Sequence, residues 1–291
     1  MRVTESRLID MAQSGMAKAN TQLGDASNEV SSGMRVSRPS DDPAAWAEGM
    51  RASVRSTISA GRGDAMGRAQ DRLGATDGAL DTVGRTLSRA RELAVQMANG
   101  SLSSDERTAA VDEVNQLRET ILAAGNSRDA DGNYLLAGSK NNVAPFTPAG
   151  AYVGDTLTGT IETSDSGTSQ VSIAGTTLTA ATGVDVLGAL TSLSSALTAN
   201  DVMGVQSSLG TLGSGIAQVA KARTQVGTQL STLASADASR KSFELNLASS
   251  HARAVEADPI AAASDLARAK QALESAQAVA SQIIQLTKPQ Q

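Results

Sequence analysis

Residues 66–97 read MGRAQDRLGATDGALDTVGRTLSRARELAVQM. Within them Met66, Ala69, Leu73, Thr76, Leu80, Val83, Leu87, Ala90, Ala94 and Met97 recur at alternating intervals of three and four, which on a helix sets them along one face. The stretch predicts a long helix that ends at Asn99-Gly100 and buries a single stripe against other helices.

The same rhythm returns on both sides. Ile9, Ala12, Met16, Ala19, Leu23, Ala26 and Val30 predict a first helix with Thr4 as its N-cap and Gly33 just past its end. Met34 to Pro39 should run extended, because the residue before a proline is pushed out of the helical region. Asp42 as N-cap and Pro43 as first helical residue open another helix through Ala44, Ala45, Trp46 and Ala47, and Gly61-Arg62-Gly63 predicts an interruption before the 66–97 helix. Ser103 with Glu106 forms a capping box ahead of Ala110, Val114, Leu117, Ile121 and Ala124, a return helix antiparallel to its predecessor. Val186, Leu190, Leu193 and Leu197 come next. Val205, Leu209, Leu212, Ile216, Val219, Val226, Leu230 and Leu233 then hold the stripe, with Arg223 as its one polar intrusion. Asp258-Pro259 repeats the cap-and-proline start, and Ala262, Leu266, Ala269, Leu273, Ala276, Ala280 and Ile283 line a last helix.

Between these runs the pattern changes. Asp131-Gly132 signals a turn, and residues 147–183 hold 14 Ser or Thr in 37, too polar for a helical core. Leu157, Gly159 and Ile161, then Val171 and Ile173, alternate as short strands do. The fold class expected is mainly α: a long antiparallel helical rod with N- and C-terminal helices paired as a coiled coil, plus a small β-rich insert. Residues 1–40 and 255–291 would form a terminal helical assembly domain, 41–140 and 186–254 a central antiparallel helical rod, and 141–185 the exposed insert.

The terminal seams are mostly Ala and Met, which bury little area against the entropy of ordering two helices. In the first helix the flanks, Gln13, Gly15, Asn20, Gln22 and Ser27 with Glu29 the only charge, lack the charged rows that set an isolated coiled coil. In the last helix the apolar face widens through Val279, Ile283, Ile284 and Leu286. These ends call for contacts from other subunits. The larger aliphatics, Ile9, Met16, Leu23, Val30, Leu266, Leu273, Ile283 and Ile284, are the candidate assembly interface.

Composition removes most chemistry. Of 291 residues 40% are hydrophobic but only 2% aromatic, so neither a deep aromatic cofactor pocket nor a base-stacking surface is expected. A net charge of -5 disfavours phosphate-driven nucleic-acid binding. There is no cysteine, and His251 is the only histidine. Disulfides, thiolate zinc sites and the usual His-activated nucleophiles are therefore not expected. The opening Met1-Arg2-Val3-Thr4-Glu5-Ser6-Arg7 is no apolar signal region, and no run is long and apolar enough for membrane insertion.

Short motifs add nothing catalytic. Asp129, Asp131 and Asn133 have calcium-loop spacing, but Tyr134 stands where Gly is required and Lys140 where Glu is required. Arg62-Gly63-Asp64 and Asn99-Gly100-Ser101 are short strings at expected helix breaks. Gly61, Gly63 and Gly67 lack dinucleotide spacing and follow no strand. His251 with Ser249, Ser250 and Glu256 reads as a solvated helix face, and Asp41-Asp42 as capping before Pro43. No enzyme, cofactor or metal site is expected.

One stretch has a family likeness. Ser31-Ser32-Gly33-Met34-Arg35-Val36-Ser37-Arg38-Pro39-Ser40-Asp41-Asp42-Pro43-Ala44 resembles the N-terminal segment of the flagellin and hook-associated protein family. Its motif residues here are Ser31, Ser32, Gly33, Arg35, Ser40, Asp41, Asp42 and Pro43. The Ser-Asp-Asp-Pro form, the opening Met1-Arg2-Val3, and Gly132 to Ser139 followed by Ala144-Pro145-Phe146 resemble the hook–filament junction members more than flagellin itself. The likeness covers roughly residues 1–146 and 255–291; Trp46 departs from it, standing where small aliphatics are usual, and so does the Lys288 to Gln291 ending. The resemblance implies an extracellular adaptor of the bacterial flagellum, exported without a cleaved Sec signal, that seats the first flagellin layer. Implied partners are copies of itself, hook-associated protein 1, flagellin and a flagellar export chaperone that holds the C-terminal helix. A short or minor flagellin, or an adhesin or enzyme carried by the β insert, are the alternatives.

Overall fold

A computed structural model describes the backbone of residues 2–286, and the side chains of residues 6–285 other than Ile284. Among the described residues there are six α-helices: α1 (Arg2–Ser32), α2 (Pro43–Met97), α3 (Ser104–Gly125), α4 (Val186–Thr198), α5 (Val202–Val255) and α6 (Pro259–Leu286). Two short strands, β1 (Thr160–Glu162) and β2 (Thr168–Gln170), lie between α3 and α4. The chain divides into two compact units, one built from the residues up to Ile58 with those from Ser242 onward, the other from Ser59–Lys241.

In the Ser59–Lys241 unit the stripe of residues 66–97 is the spine of the core. Leu73, Leu80, Val83, Leu87 and Ala90 are wholly buried with Val114 of α3, Leu190, Leu193 and Leu197 of α4, and Leu212, Val226 and Leu233 of α5. Each fully buried aliphatic contributes about 1.5–3 kcal/mol by leaving water, so this cluster carries most of the unit's stability. Arg107 near the start of α3 donates Nε to the Met97 carbonyl at the end of α2 (3.0 Å), and Arg89 reaches Glu113 (2.7 Å). Those pairings make α2 and α3 antiparallel, as the capping box predicts, and Ser103 and Glu106 do cap α3 reciprocally.

Arg223, the intrusion in the α5 stripe, forks onto α2. Its Nε lies 2.9 Å from Asp77 Oδ1 and its Nη1 2.7 Å from Asp81 Oδ1. Two carboxylates one turn apart thus set the register of two antiparallel helices, the best-attested use of such a polar group on a packed seam.

Three local expectations change. Gly61-Arg62-Gly63 does not break the chain, since α2 runs unbroken for 55 residues. A helical glycine costs about 1 kcal/mol relative to alanine. Here Gly63 leaves room for the Arg240 guanidinium, whose Cζ would stand 2.7 Å from a Cβ at that position. α1 begins at Arg2, ahead of Thr4. Val171 and Ile173 fall past β2, whose register pairs Thr160 with Gln170, Ile161 with Ser169 and Glu162 with Thr168. Ile173 is instead buried in the helical core, because helices offer more apolar surface than a two-stranded ribbon does.

The segment between α3 and α4 is pinned by side chains. Asn126 exchanges two 2.9 Å hydrogen bonds with the Phe146 backbone, and the buried Phe146 ring lies 5.3 Å from the Tyr152 ring. Gln218 of α5 donates Nε2 to the Thr177 and Val184 carbonyls (2.8 and 3.1 Å) and accepts from the Val184 amide (2.7 Å).

Candidate assembly site at the paired chain ends

The first unit is organised by α1 packing against α6. The end of α1 meets the start of α6, because Ala257 N donates to the Gly33 carbonyl (2.9 Å) and Met34 pairs with Glu256 in an antiparallel bridge. The two helices therefore run antiparallel along their seam.

Alanines occupy the centre of that seam. Ala19, Ala26, Ala262, Ala269 and Ala280 are buried, whereas Ile9, Met16, Leu23, Leu266, Leu273 and Ile283 are only half-buried and Val30 is 43% exposed. The side chain of Ile284 lies outside the described residues. Small side chains let two backbones approach closely, and the larger aliphatics then flank the contact and keep one side open. Leu8, Met11 and Val279 are exposed too, and on α2 Met50, Val54 and Ile58 stand exposed at intervals of four, on one helix face. Phe243 and Leu245 of α5 are also exposed. The interval of four was readable in the sequence; the absence of a cover within the unit was not.

The motif residues build a clasp. Gly33 ends α1 with φ +69°, a conformation open to glycine at little cost. Ser31 and Ser32 cap back onto the Asn28 carbonyl (3.1 and 2.7 Å), and Ser32 Oγ accepts from the Met34 amide (3.2 Å). Arg35 and Val36 donate their amides to the Val255 carbonyl (2.9 and 3.2 Å), while the Arg35 guanidinium donates to the Ala254 carbonyl (2.8 Å). Asp41 Oδ2 accepts from the Ser37 and Arg38 amides (3.1 and 2.9 Å), folding the Pro39 turn, and Ser40 Oγ donates to Asp41 Oδ1 (3.4 Å). Asp42 caps α2, which begins at Pro43, by accepting from the Ala44 and Ala45 amides (3.2 and 3.0 Å).

The Ala45 amide, opposed by some burial and aided by Arg35 at 3.5 Å, holds the Asp42 carboxyl below its ordinary value. Asp258 caps α6 in the same way through the Ile260 amide (2.8 Å). Under the clasp Val36, Ala254 and Val255 are buried and Ala45 and Trp46 pack on them, which gives Trp46 its place. Sequence reasoning missed the C-terminal half of this clasp, Ala254 to Ala257, and Gly49, where a Cβ would stand 2.6 Å from Val255 Cγ1. The repeated Asp-Pro signature at residues 42–43 and 258–259 was the available sign that two helix starts meet here.

Several of the other polar groups are engaged in structure. Ser250 Oγ donates to Glu48 Oε1 (3.5 Å), and the Glu256 backbone pairs with Met34. In the Ser59–Lys241 unit Asp129 accepts from the Asp131 and Asn133 amides (3.0 and 2.8 Å) and pairs with Arg72 (3.2 Å), so its carboxylate closes a turn. Among the described residues no group of three or more His, Cys, Asp or Glu stands close enough to hold a metal ion, and no helix is long and apolar enough to cross a membrane.

Residues 8–141 match the family described as the bacterial flagellin N-terminal helical region. Flagellar hook-associated protein 3 of Salmonella typhimurium is 28% identical over 155 residues, covering 53% of this chain and 49% of that protein. The chain thus spans about half the length of this curated relative. The flagellin of Clostridium tyrobutyricum is 34% identical over 151 residues, covering 49% of this chain and 39% of that one. A solved structure from Vibrio parahaemolyticus, assigned as a flagellar hook-associated protein, has a TM-score of 0.69 at 21% identity and covers 74% of this chain and 100% of that one, so the two share a fold. Through residues 8–141, then, the chain is similar to the N-terminal helical region shared by flagellins and hook-associated proteins.

Proposed function

We propose that the protein is a structural subunit of the bacterial flagellum, an adaptor at the hook–filament junction that seats the first layer of flagellin. The observation that carries this reading is the likeness of both sequence and fold to hook-associated proteins. The open flank of the α1–α6 seam supports it, since half-buried aliphatics beside a buried alanine line are what a helical lattice of subunits covers. In this reading residues 1–40 and 255–291 form the assembly domain, 41–140 and 186–254 the central helical part, and 141–185 an insert whose Phe146, Ile173 and Leu178 are buried in the helical core.

Partners are further copies of the chain, hook-associated protein 1 on the hook side and flagellin on the other. A cytoplasmic export chaperone holds the C-terminal helix before the chain leaves the cell. The subunit catalyses no reaction. A minor flagellin is the second reading, favoured by the 34% identity to the Clostridium flagellin. Immunogold labelling of intact flagella separates the two. A few particles confined to the hook tip are expected, and labelling along the whole filament would overturn the adaptor in favour of the flagellin.

A further inference from the structure

Asn99-Gly100-Ser101 follows the last turn of α2, and all three residues are exposed. A Cβ at Gly100 would meet no atom within 4 Å beyond its chain neighbours, so the turn is open to water on that side. The Asn99 side-chain carbonyl is held by two donors, Ser101 N (3.1 Å) and Ser101 Oγ (3.0 Å). The Asn99 backbone carbonyl accepts from Nη2 of Arg107 (2.8 Å).

Arg107 is 2% exposed and donates to the carbonyls of Met97 and Asn99 and to the amide oxygen of Asn200. Asn126 provides the contrast, because both ends of its amide are tied to the Phe146 backbone.

We infer that Asn99 is a site of spontaneous, fold-promoted conversion to aspartate and isoaspartate through a succinimide. Water removes the Gly100 N–H proton, and the nitrogen's electron pair forms a bond to Asn99 Cγ. The Cγ–Nδ2 bond then breaks and Nδ2 leaves as ammonia, taking up a proton. One water adds to either carbonyl of the five-membered ring and gives the two acids. A cation on the Asn99 peptide carbonyl draws charge from the Gly100 nitrogen and eases loss of its proton. The two Ser101 donors sit on the oxygen that becomes the oxyanion as the ring closes, which stabilises charge where it develops.

The test holds the purified full-length chain and the synthetic peptide of residues 92–107 at mildly alkaline pH and follows residue 99 by peptide mapping and ammonia release. The expected result is faster conversion in the folded chain than in the peptide, with Asn126 unchanged over the same period. Ser101→Ala should slow the folded chain roughly tenfold, because an exposed oxyanion donor contributes less than a sequestered one. The same change should leave the peptide nearly unaffected. Conversion in the folded chain no faster than in the peptide would overturn the inference, and so would a folded Ser101→Ala variant that converts at the parental rate. If Ser101→Ala fails to fold by circular dichroism, the comparison of folded chain with peptide decides alone.

Discussion

Replacing Gly49 by alanine should loosen the clasp, although alanine is the better helix former. In a helix interior the exchange gains about 1 kcal/mol. Against that, the new methyl would stand 2.6 Å from Val255 Cγ1, and Val255 is 5% exposed with Val36 and Ala254 packed around it. Overpacking of this kind costs about 1–3 kcal/mol, so the net is a local loss of about 1 kcal/mol. The loss should appear at the amides of Arg35 and Val36, which donate to the Val255 carbonyl, and at Ala257, which donates to Gly33. Native-state hydrogen exchange of those amides should accelerate about fivefold.

Val255→Ala alone should destabilise by about 1–2 kcal/mol, but the pair Gly49→Ala with Val255→Ala should lose less than the sum, because the new methyl fills the space vacated. Gly24→Ala is the control: a Cβ there meets nothing within 4 Å, so it should stabilise α1 by about 0.5–1 kcal/mol and leave the clasp amides unchanged. If Gly49→Ala stabilised as Gly24→Ala does, and the pair with Val255→Ala were additive, the close approach of α2 to Val255 would carry no energy and the clasp reasoning would be refuted.

Other outcomes follow from the same structure. Leu273→Asp and Ile283→Asp, at half-buried flanking positions, should leave the Ser59–Lys241 unit folded by circular dichroism while a complemented strain secretes the protein but builds no filament; normal filaments on secreted variant would remove the seam as an assembly surface. Arg223→Ala should cost the Ser59–Lys241 unit about 1 kcal/mol in urea denaturation, a modest figure because the pair is more than a third exposed. Arg223 holds the Asp77 carboxyl below its ordinary value while burial opposes it, so this contribution is full above the ordinary carboxylate range and fades as pH falls through the lowered folded value; the gap between parent and variant should therefore close in acid. In mild urea, trypsin should cut at the exposed Lys18 and Lys270 before Arg85 and Arg89, since the alanine seam buries less apolar surface than the core of the other unit; simultaneous cutting would show one cooperative block. Calorimetric titration with calcium should give no heat of binding at the Asp129 turn, whose carboxylate is already engaged by Arg72 and two amides, and micromolar binding there would contradict that assignment.

Periodicity and capping chemistry were enough to read the helices from the sequence. A stripe at intervals of three and four can be buried in only one way, and Asp42-Pro43, Ser103 with Glu106, and Asp258-Pro259 satisfy helix-start amides with atoms a few residues away. What depends on distant neighbours was not legible. Gly63 reads as a break until Arg240 lies across it, and Arg223 reads as an intrusion until two carboxylates of α2 meet it. Val171 and Ile173 read as strand until helices offer Ile173 a larger apolar surface. Which members of the terminal stripes sit at the centre of the seam was not legible either: alanines lie there, because the closest approach of two backbones selects the smallest side chains and leaves the larger ones to the flanks. Local hydrogen bonds and helical period are properties of consecutive residues, whereas which face is covered, and by what, is settled only when segments some 220 residues apart, such as Arg35 and Ala254, come together.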